Sequence, residues 1–299
     1  MITKFHILLT YNCSLRCKHC YVFSDQRAAG KISLSQVSHF LNEGRKLPGI
    51  KWIYFGGGEP FTQYPMLLKA IQRARKLDYD VGVVTNGYFA RTVEAGVRFL
   101  RPLALMGVKD IRISNDILHY KNPETSPAKR ALKAAKKLGL PTTLVRISHP
   151  WDQEFPGNGN DSADNVIEKR LMFTGRAVET LPEGLPTSNW QTFTSCPRPD
   201  LTDPEEVFID AYGYVQICPG IAIGNAYNAP LHDIIENFGI QSHPIIRLLK
   251  TKGPSGLMKN SAIPPEAEYV SPCHCCYSIR RELIDQYPDW FAPRQVYGF

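Results

Sequence analysis

No part of this 299-residue chain is a long apolar run; nowhere do the roughly 18–20 consecutive apolar residues of a membrane helix occur. That excludes a helical membrane span, and no membrane partner is expected. The first residues alternate into an apolar strand and lead straight into cysteines. They lack the basic start, apolar stretch and small-residue cleavage site of a signal peptide. Blocks of basic residues interleaved with aromatics are also missing, so nucleic acid is not an expected partner. The net charge of +7 is spread over helix faces such as Lys129, Arg130, Lys133, Lys136 and Lys137. A mild positive field of this kind suits an anionic substrate or an acidic electron-transfer protein. Internal repeats and long low-complexity tracts are absent, which excludes solenoid and largely disordered architectures.

What the chain does have is a core and eight cysteines. Hydrophobic residues make up 43% and charged residues 21%, as in ordinary soluble proteins. The length allows one large domain, or one domain and a smaller one. Without a secretion signal the chain is expected in the cytoplasm, where thiols stay reduced and clustered cysteines point to metal before disulfides.

Up to about residue 175 the pattern alternates strands with helices, the signature of a parallel α/β sheet. Strands are predicted over 5–9, 52–55, 81–85, 111–114 and 142–147. Ser33 and Gln36 form a capping box ahead of a helix carrying Val37, Phe40 and Leu41 on one face. An amphipathic helix is predicted over 67–77, and Ser126-Pro127 caps a further helix that Gly139 ends. Residues 150–164 are polar and glycine-rich and read as a loop. Beyond Arg176 prolines and glycines multiply, helical periodicity fades, and five of the eight cysteines follow. A boundary near residue 180 divides a first domain, 1–180, from a second, 181–299.

Cys13, Cys17 and Cys20 lie directly after the first strand in a C-x3-C-x2-C spacing. Three thiolates this close can hold three irons of a [4Fe–4S] cluster and leave the fourth iron open to a chelating ligand. A zinc site is the alternative. Structural zinc favours four ligands from paired C-x2-C knuckles, which the C-x3-C spacing does not offer.

The cysteine loop resembles the signature of the radical S-adenosylmethionine (SAM) superfamily, C-x3-C-x-aromatic-C, with His19 in the aromatic slot. The resemblance implies a partial (β/α)6 barrel resembling a TIM barrel. It implies that SAM binds the open iron, and that reductive cleavage yields a radical that takes a hydrogen atom from the substrate. An electron donor such as flavodoxin or ferredoxin is then the expected partner. In this family Gly57-Gly58-Glu59-Pro60, after the second strand, contacts the SAM amino group. Glycines permit close backbone approach, and Glu59 can pair with an ammonium or shape the turn. Asn86 in Thr85-Asn86-Gly87, and Ser114 and Asn115 after the fourth strand, occupy positions at strand ends where a barrel places its chemistry. Arg146, late in the fifth strand, can pair with the SAM carboxylate or be an ordinary solvated arginine. Turn formation and helix capping are the plainer roles for Ser114 and Asn115.

Gly175-Arg176-Ala177 resembles the element that closes the barrel in the SPASM/twitch branch. After it, Cys196, Gly213 with Cys218, and Cys273 with Cys276 resemble the ligand order of a twitch domain, a small α+β module carrying one auxiliary [4Fe–4S] cluster. No cysteine follows Cys276, so a second auxiliary cluster is excluded. Zinc held by the same four cysteines is the alternative. Cys275 is left over, although it can exchange roles with Cys276. As a free thiol it can donate a hydrogen atom to a substrate radical; the favoured reading is a buried spare cysteine. The expected reaction is oxidation or epimerisation of a polar small molecule. The chain opens on the first barrel strand, without a preceding peptide-binding domain, which favours that over modification of a ribosomally made peptide. A non-catalytic zinc-binding module is the alternative from a different class.

Overall fold

The computed structural model describes residues 2–148, 165–198, 201, 203–239, 241–261 and 268–299. The polar loop expected over 150–164 lies outside the described residues. The chain divides into two compact units, described in turn: Thr3–Cys17 with Ser24–Leu171, and Met1–Ile2 with Lys18–Phe23 and Met172–Phe299.

The first unit is an α/β barrel segment. Its strands β1 (Lys4–Leu8), β2 (Trp52–Gly56), β3 (Asp80–Thr85), β4 (Asp110–Ser114), β5 (Thr142–Ser148) and β6 (Val166–Arg170) each pair in parallel with the next. Helices α1 (Leu34–Gly44), α2 (Tyr64–Lys76), α3 (Val93–Leu105) and α4 (Pro127–Lys137) fill the first four crossovers. Both arms of the Ser33–Gln36 capping box form at the start of α1, so two helix-end N–H groups are satisfied at once. Pro127 opens α4 behind the Ser126 cap, and Gly139, at φ +65°, follows its end. The helix-covered face of the sheet is a dry layer in which Phe5, Ile53, Val81, Ile111 and Leu144 are fully buried. Two elements have no clear sequence signal. Helix α3 contains Gly96 and Pro102, which weaken helical propensity, and β6 contains Glu168, Lys169 and Arg170 in place of apolar alternation.

In the second unit α5 (Ala177–Thr180) follows the glycine-arginine-alanine element, and β7 (Ser188–Asn189) pairs with β11 (Glu268–Tyr269). Strands β8 (Glu206–Ile209), β9 (Tyr214–Cys218) and β10 (Ile221–Asn225) pair antiparallel in succession, so Gly213 sits in the turn of the β8–β9 hairpin. Fully buried Asp210 holds its turn, accepting from the Tyr212 and Tyr214 N–H groups at 2.8 and 3.0 Å and from Gln216 at 3.0 Å. Helix α6 (Leu231–Glu236) is short, while α7 (Pro244–Lys259) and α8 (Pro272–Glu282) are full helices in a region where helical periodicity fades in the sequence. Their periodicity is masked because α7 is interrupted at Gly253-Pro254 and α8 starts on cysteines.

Candidate functional site

At the C-terminal ends of β1, β2 and β3 three loops are stitched together. The Gly58 N–H donates to the Thr10 carbonyl at 2.6 Å and the Glu59 N–H to the Asn12 carbonyl at 2.9 Å, tying the glycine motif to the chain entering Cys13. A Cβ on Gly57 would lie 2.3 Å from the Thr10 carbonyl oxygen, and one on Gly58 2.3 Å from that of Asn12, so neither position admits a side chain. Glu59 is fully buried, and its carboxylate accepts from Phe61 N–H, Thr85 hydroxyl and Asn86 N–H at 3.1, 2.7 and 2.7 Å. Those bonds join the loops after β2 and β3, which is the turn-shaping role. Burial pushes this carboxyl up to about 7, against the three hydrogen bonds. Asn86 carries the link onward, with Nδ2 3.2 Å from Ser14 Oγ and 3.6 Å from Cys13 Sγ.

Two tyrosines without a sequence signal border the same corner. The Tyr120 hydroxyl donates to the Asn86 carbonyl at 2.7 Å. Burial raises the Tyr88 and Tyr120 phenols, and the Glu59 carboxyl acts next in the same direction. Both also feel the Cys13 thiol.

The other expected barrel residues are placed differently. Asn115 is buried and spends its amide locally, donating to the Pro123 carbonyl at 3.2 Å and accepting from the Ser126 hydroxyl at 2.8 Å. Ser114 ends β4 half-buried. Arg146 pairs in register with Glu168, its guanidinium 4.0 Å from that carboxylate. Strand alternation sets Arg146 on the face of Leu144, opposite Ser114. Arg146 and Ser114 are therefore not brought together.

Cys13 and Cys17 belong to the first unit; Cys20, with half-buried His19, belongs to the second. There the glycine-arginine-alanine element sits directly on Cys20. The Arg176 N–H donates to the Cys20 carbonyl at 2.9 Å, and a Cβ on Gly175 would lie 2.4 Å from that same oxygen.

Within the second unit Cys196, Cys218, Cys273 and Cys276 line one pocket, together with Thr174, Arg280 and an apolar wall that includes Leu201, Ile221 and Leu249. Its empty volume, part of it open to solvent, is about 340 Å³. The four thiols arrive from a loop, the end of β9 and the first turn of α8. Gly253 positions the loop. It adopts φ +62°, and a Cβ there would lie 2.4 Å from the Ser195 nitrogen, while the Ser255 N–H donates to the Phe193 carbonyl at 3.0 Å. Burial pushes the Cys273 thiol up to about 12, and Cys218, Cys276 and Cys196 act in the same direction. Burial likewise pushes Cys276 up to about 11, with the Arg280 charge opposing it. Metal binding here must displace protons, since thiolates and not thiols are the ligands. Among the described residues, no three His, Cys, Asp or Glu groups gather tightly enough to hold a single metal ion. Cys275 is fully buried and does not line this pocket.

Residues 7–150 match the family model described as the Radical SAM superfamily. The chain is 30% identical over 114 residues to the tungsten-containing aldehyde ferredoxin oxidoreductase cofactor-modifying protein of Pyrococcus furiosus, covering 38% of this chain and 30% of that one. It is 22% identical over 131 residues to the putative peptide biosynthesis protein YydG of Bacillus subtilis, covering 44% and 41%. It thus spans less than half the length of either relative. The crystal structure of BtrN in complex with AdoMet and 2-DOIA superposes with a TM-score of 0.52 at 14% identity, over 91% of this chain and 98% of that one, a likeness of fold. Among the described residues no helix is long and apolar enough to cross a membrane. The match spans just under half of the chain and takes in the cysteine loop and the glycine motif, so residues 7–150 form a segment of radical SAM type.

Proposed function

We propose that this chain is an enzyme that binds SAM at a [4Fe–4S] cluster held by Cys13, Cys17 and Cys20, and holds a second [4Fe–4S] cluster through Cys196, Cys218, Cys273 and Cys276. When bound, the first cluster and SAM supply reductive cleavage of SAM for hydrogen-atom abstraction. The observation that carries the reading is the joining of Cys13, Gly57-Gly58-Glu59 and Thr85-Asn86 into one corner of the first unit. There the side-chain-free Gly57 and Gly58 leave backbone within reach of a ligand, and Asn86 offers its amide to the Cys13 sulfur. Glu59 acts by holding the two loops together. An electron donor such as flavodoxin or ferredoxin would provide the reducing electron.

We read the four thiols around one pocket as cluster ligands, with zinc as the alternative that the same ligand set allows. Zinc–sulfur bonds of about 2.3 Å would draw four sulfurs close around one ion, whereas each cluster thiolate sits on its own iron and the sulfurs stand further apart. Cys276 lines the pocket and Cys275 does not, which favours Cys276 as the ligand and a packing role for Cys275.

We assign the chain oxidation or epimerisation of a polar small molecule; the relative named for cofactor modification supports a small-molecule substrate. Likeness to YydG, named for peptide biosynthesis, keeps radical modification of a peptide as the second reading. The test is anaerobic reconstitution with iron and sulfide, followed by reductant and SAM. Formation of 5′-deoxyadenosine is the expected result; bound zinc with no SAM cleavage would overturn the proposal.

A further inference from the structure

Arg280 is a buried cation whose counter-charge is not supplied by a carboxylate. It is 1% exposed and lines the four-cysteine pocket from α8, one helical turn after Cys276 and on the same face. It donates to the Pro219 carbonyl at 2.8 Å, the Tyr297 hydroxyl at 3.0 Å and the Cys276 carbonyl at 3.3 Å, and its guanidinium also hydrogen-bonds the Cys276 thiol. The stacked Tyr277 and Tyr297 rings, 5.2 Å apart, flank the guanidinium at 5.6 Å from each centroid. Among the described residues no carboxylate pairs with it; the titratable groups that act on it are the Tyr297 and Tyr277 phenols and the Cys276 and Cys218 thiols. A guanidinium removed from water is costly unless an anion accompanies it. The pocket wall holds a second signal. Thr174 is 2% exposed, and its hydroxyl oxygen has no hydrogen-bond partner.

We infer that Arg280 is the counter-cation of an anionic iron–sulfur cluster in this pocket, that Thr174 donates a hydrogen bond to a cluster or cysteine sulfur, and that together they raise the cluster's reduction potential. This rests on the assignment of the second cluster to Cys196, Cys218, Cys273 and Cys276. A thiolate-ligated [4Fe–4S] cluster carries net negative charge that grows by one on reduction, so a fixed positive charge beside it stabilises the reduced form more than the oxidised form. Hydrogen bonds to the sulfurs act in the same direction. Arg280 is thus a positioning and tuning residue: it would set how readily the cluster accepts an electron without touching the substrate.

The test uses the full chain with Cys13, Cys17 and Cys20 changed to Ala, reconstituted anaerobically so that the remaining cluster is the one observed, and an EPR-monitored redox titration. Arg280→Gln keeps a hydrogen-bond donor and removes the charge. It should lower the reduced-to-oxidised ratio at fixed potential by about tenfold, about 59 mV for a one-electron couple. Arg280→Lys should stay near the parent, and Thr174→Val should shift in the direction of Arg280→Gln by less. An unchanged potential in Arg280→Gln, or an Arg280→Lys shift as large as that of Arg280→Gln, would overturn the inference. If Arg280→Gln takes up no iron while Arg280→Lys does, the need for a cation is upheld; if neither does, the residue is structural and the inference fails. A parent protein that binds no iron would instead defeat the four-cysteine assignment itself.

Discussion

Cys13, Cys17 and Cys20 are neighbours along the chain, whereas Cys196, Cys218, Cys273 and Cys276 meet in one pocket only because a loop, a hairpin strand and a helix fold together. The first set lies within eight residues of chain, although its last member, Cys20, is held by the Arg176 N–H of the second unit. The second exists only while its unit is folded, and its spacing is set by packing. Damage to the scaffold should therefore fall unequally on the two sets.

The largest separation comes from removing ligands. Cys17→Ala should reduce 5′-deoxyadenosine formation to background, while Cys218→Ala should retain SAM cleavage and lose the iron of the second set. Chromatography of the nucleoside beside iron analysis reads both. Loss of SAM cleavage in both variants would break the comparison, because the sets would then not be independent.

Next is Gly253→Ala. Gly253, at φ +62° and ψ −166°, occupies a backbone region essentially reserved for glycine, at a cost of about 1–3 kcal/mol for any other residue, and the added carbon would meet the Ser195 backbone at 2.4 Å. The chain next to Cys196 must move, so iron in the second set should fall while iron in the first is retained. Iron analysis combined with denaturant unfolding checks this.

Glu59 gives a smaller, pH-dependent effect in the protein without SAM. Burial raises its carboxyl from 4.5 to about 7, so between those values the folded state holds a proton that the unfolded state has released. Stability should decline as pH rises from about 4.5 through about 7, opposite to the usual carboxylate trend. Glu59→Gln should remove this part of the slope, which thermal unfolding across that range measures. Smallest is Ser33→Ala, which breaks the capping box of α1 at a cost of about 0.5–2 kcal/mol and should leave both sets of iron intact. Unfolding curves and iron analysis together test it.

The same contrast explains what the sequence made legible. Strands of the first unit announce themselves through short apolar runs, and α1 and α4 through caps at Ser33 and Ser126, because these signals are local. The cysteine loop and glycine motif are local as well. Helix α3, with Gly96 and Pro102, and α7, broken at Gly253-Pro254, hide from periodicity because packing overrides their weak propensity. Tyr120 and Thr174 carry no motif; they join their sites through tertiary contacts alone. Arg280 had a usable signal, a cation one helical turn beyond Cys276 on a helix that starts with cysteines. Arg146 shows the converse: a residue at a plausible position in sequence that strand alternation sets opposite Ser114 and beside Glu168.

The most direct measurement is iron and sulfide per chain in three reconstituted proteins: the wild type, the variant with Cys13, Cys17 and Cys20 changed to Ala, and the variant with Cys196, Cys218, Cys273 and Cys276 changed to Ala. Two independent [4Fe–4S] sites predict about eight, about four and about four irons. A second variant that keeps the full wild-type iron content, or zinc in place of iron at either set, would contradict the account.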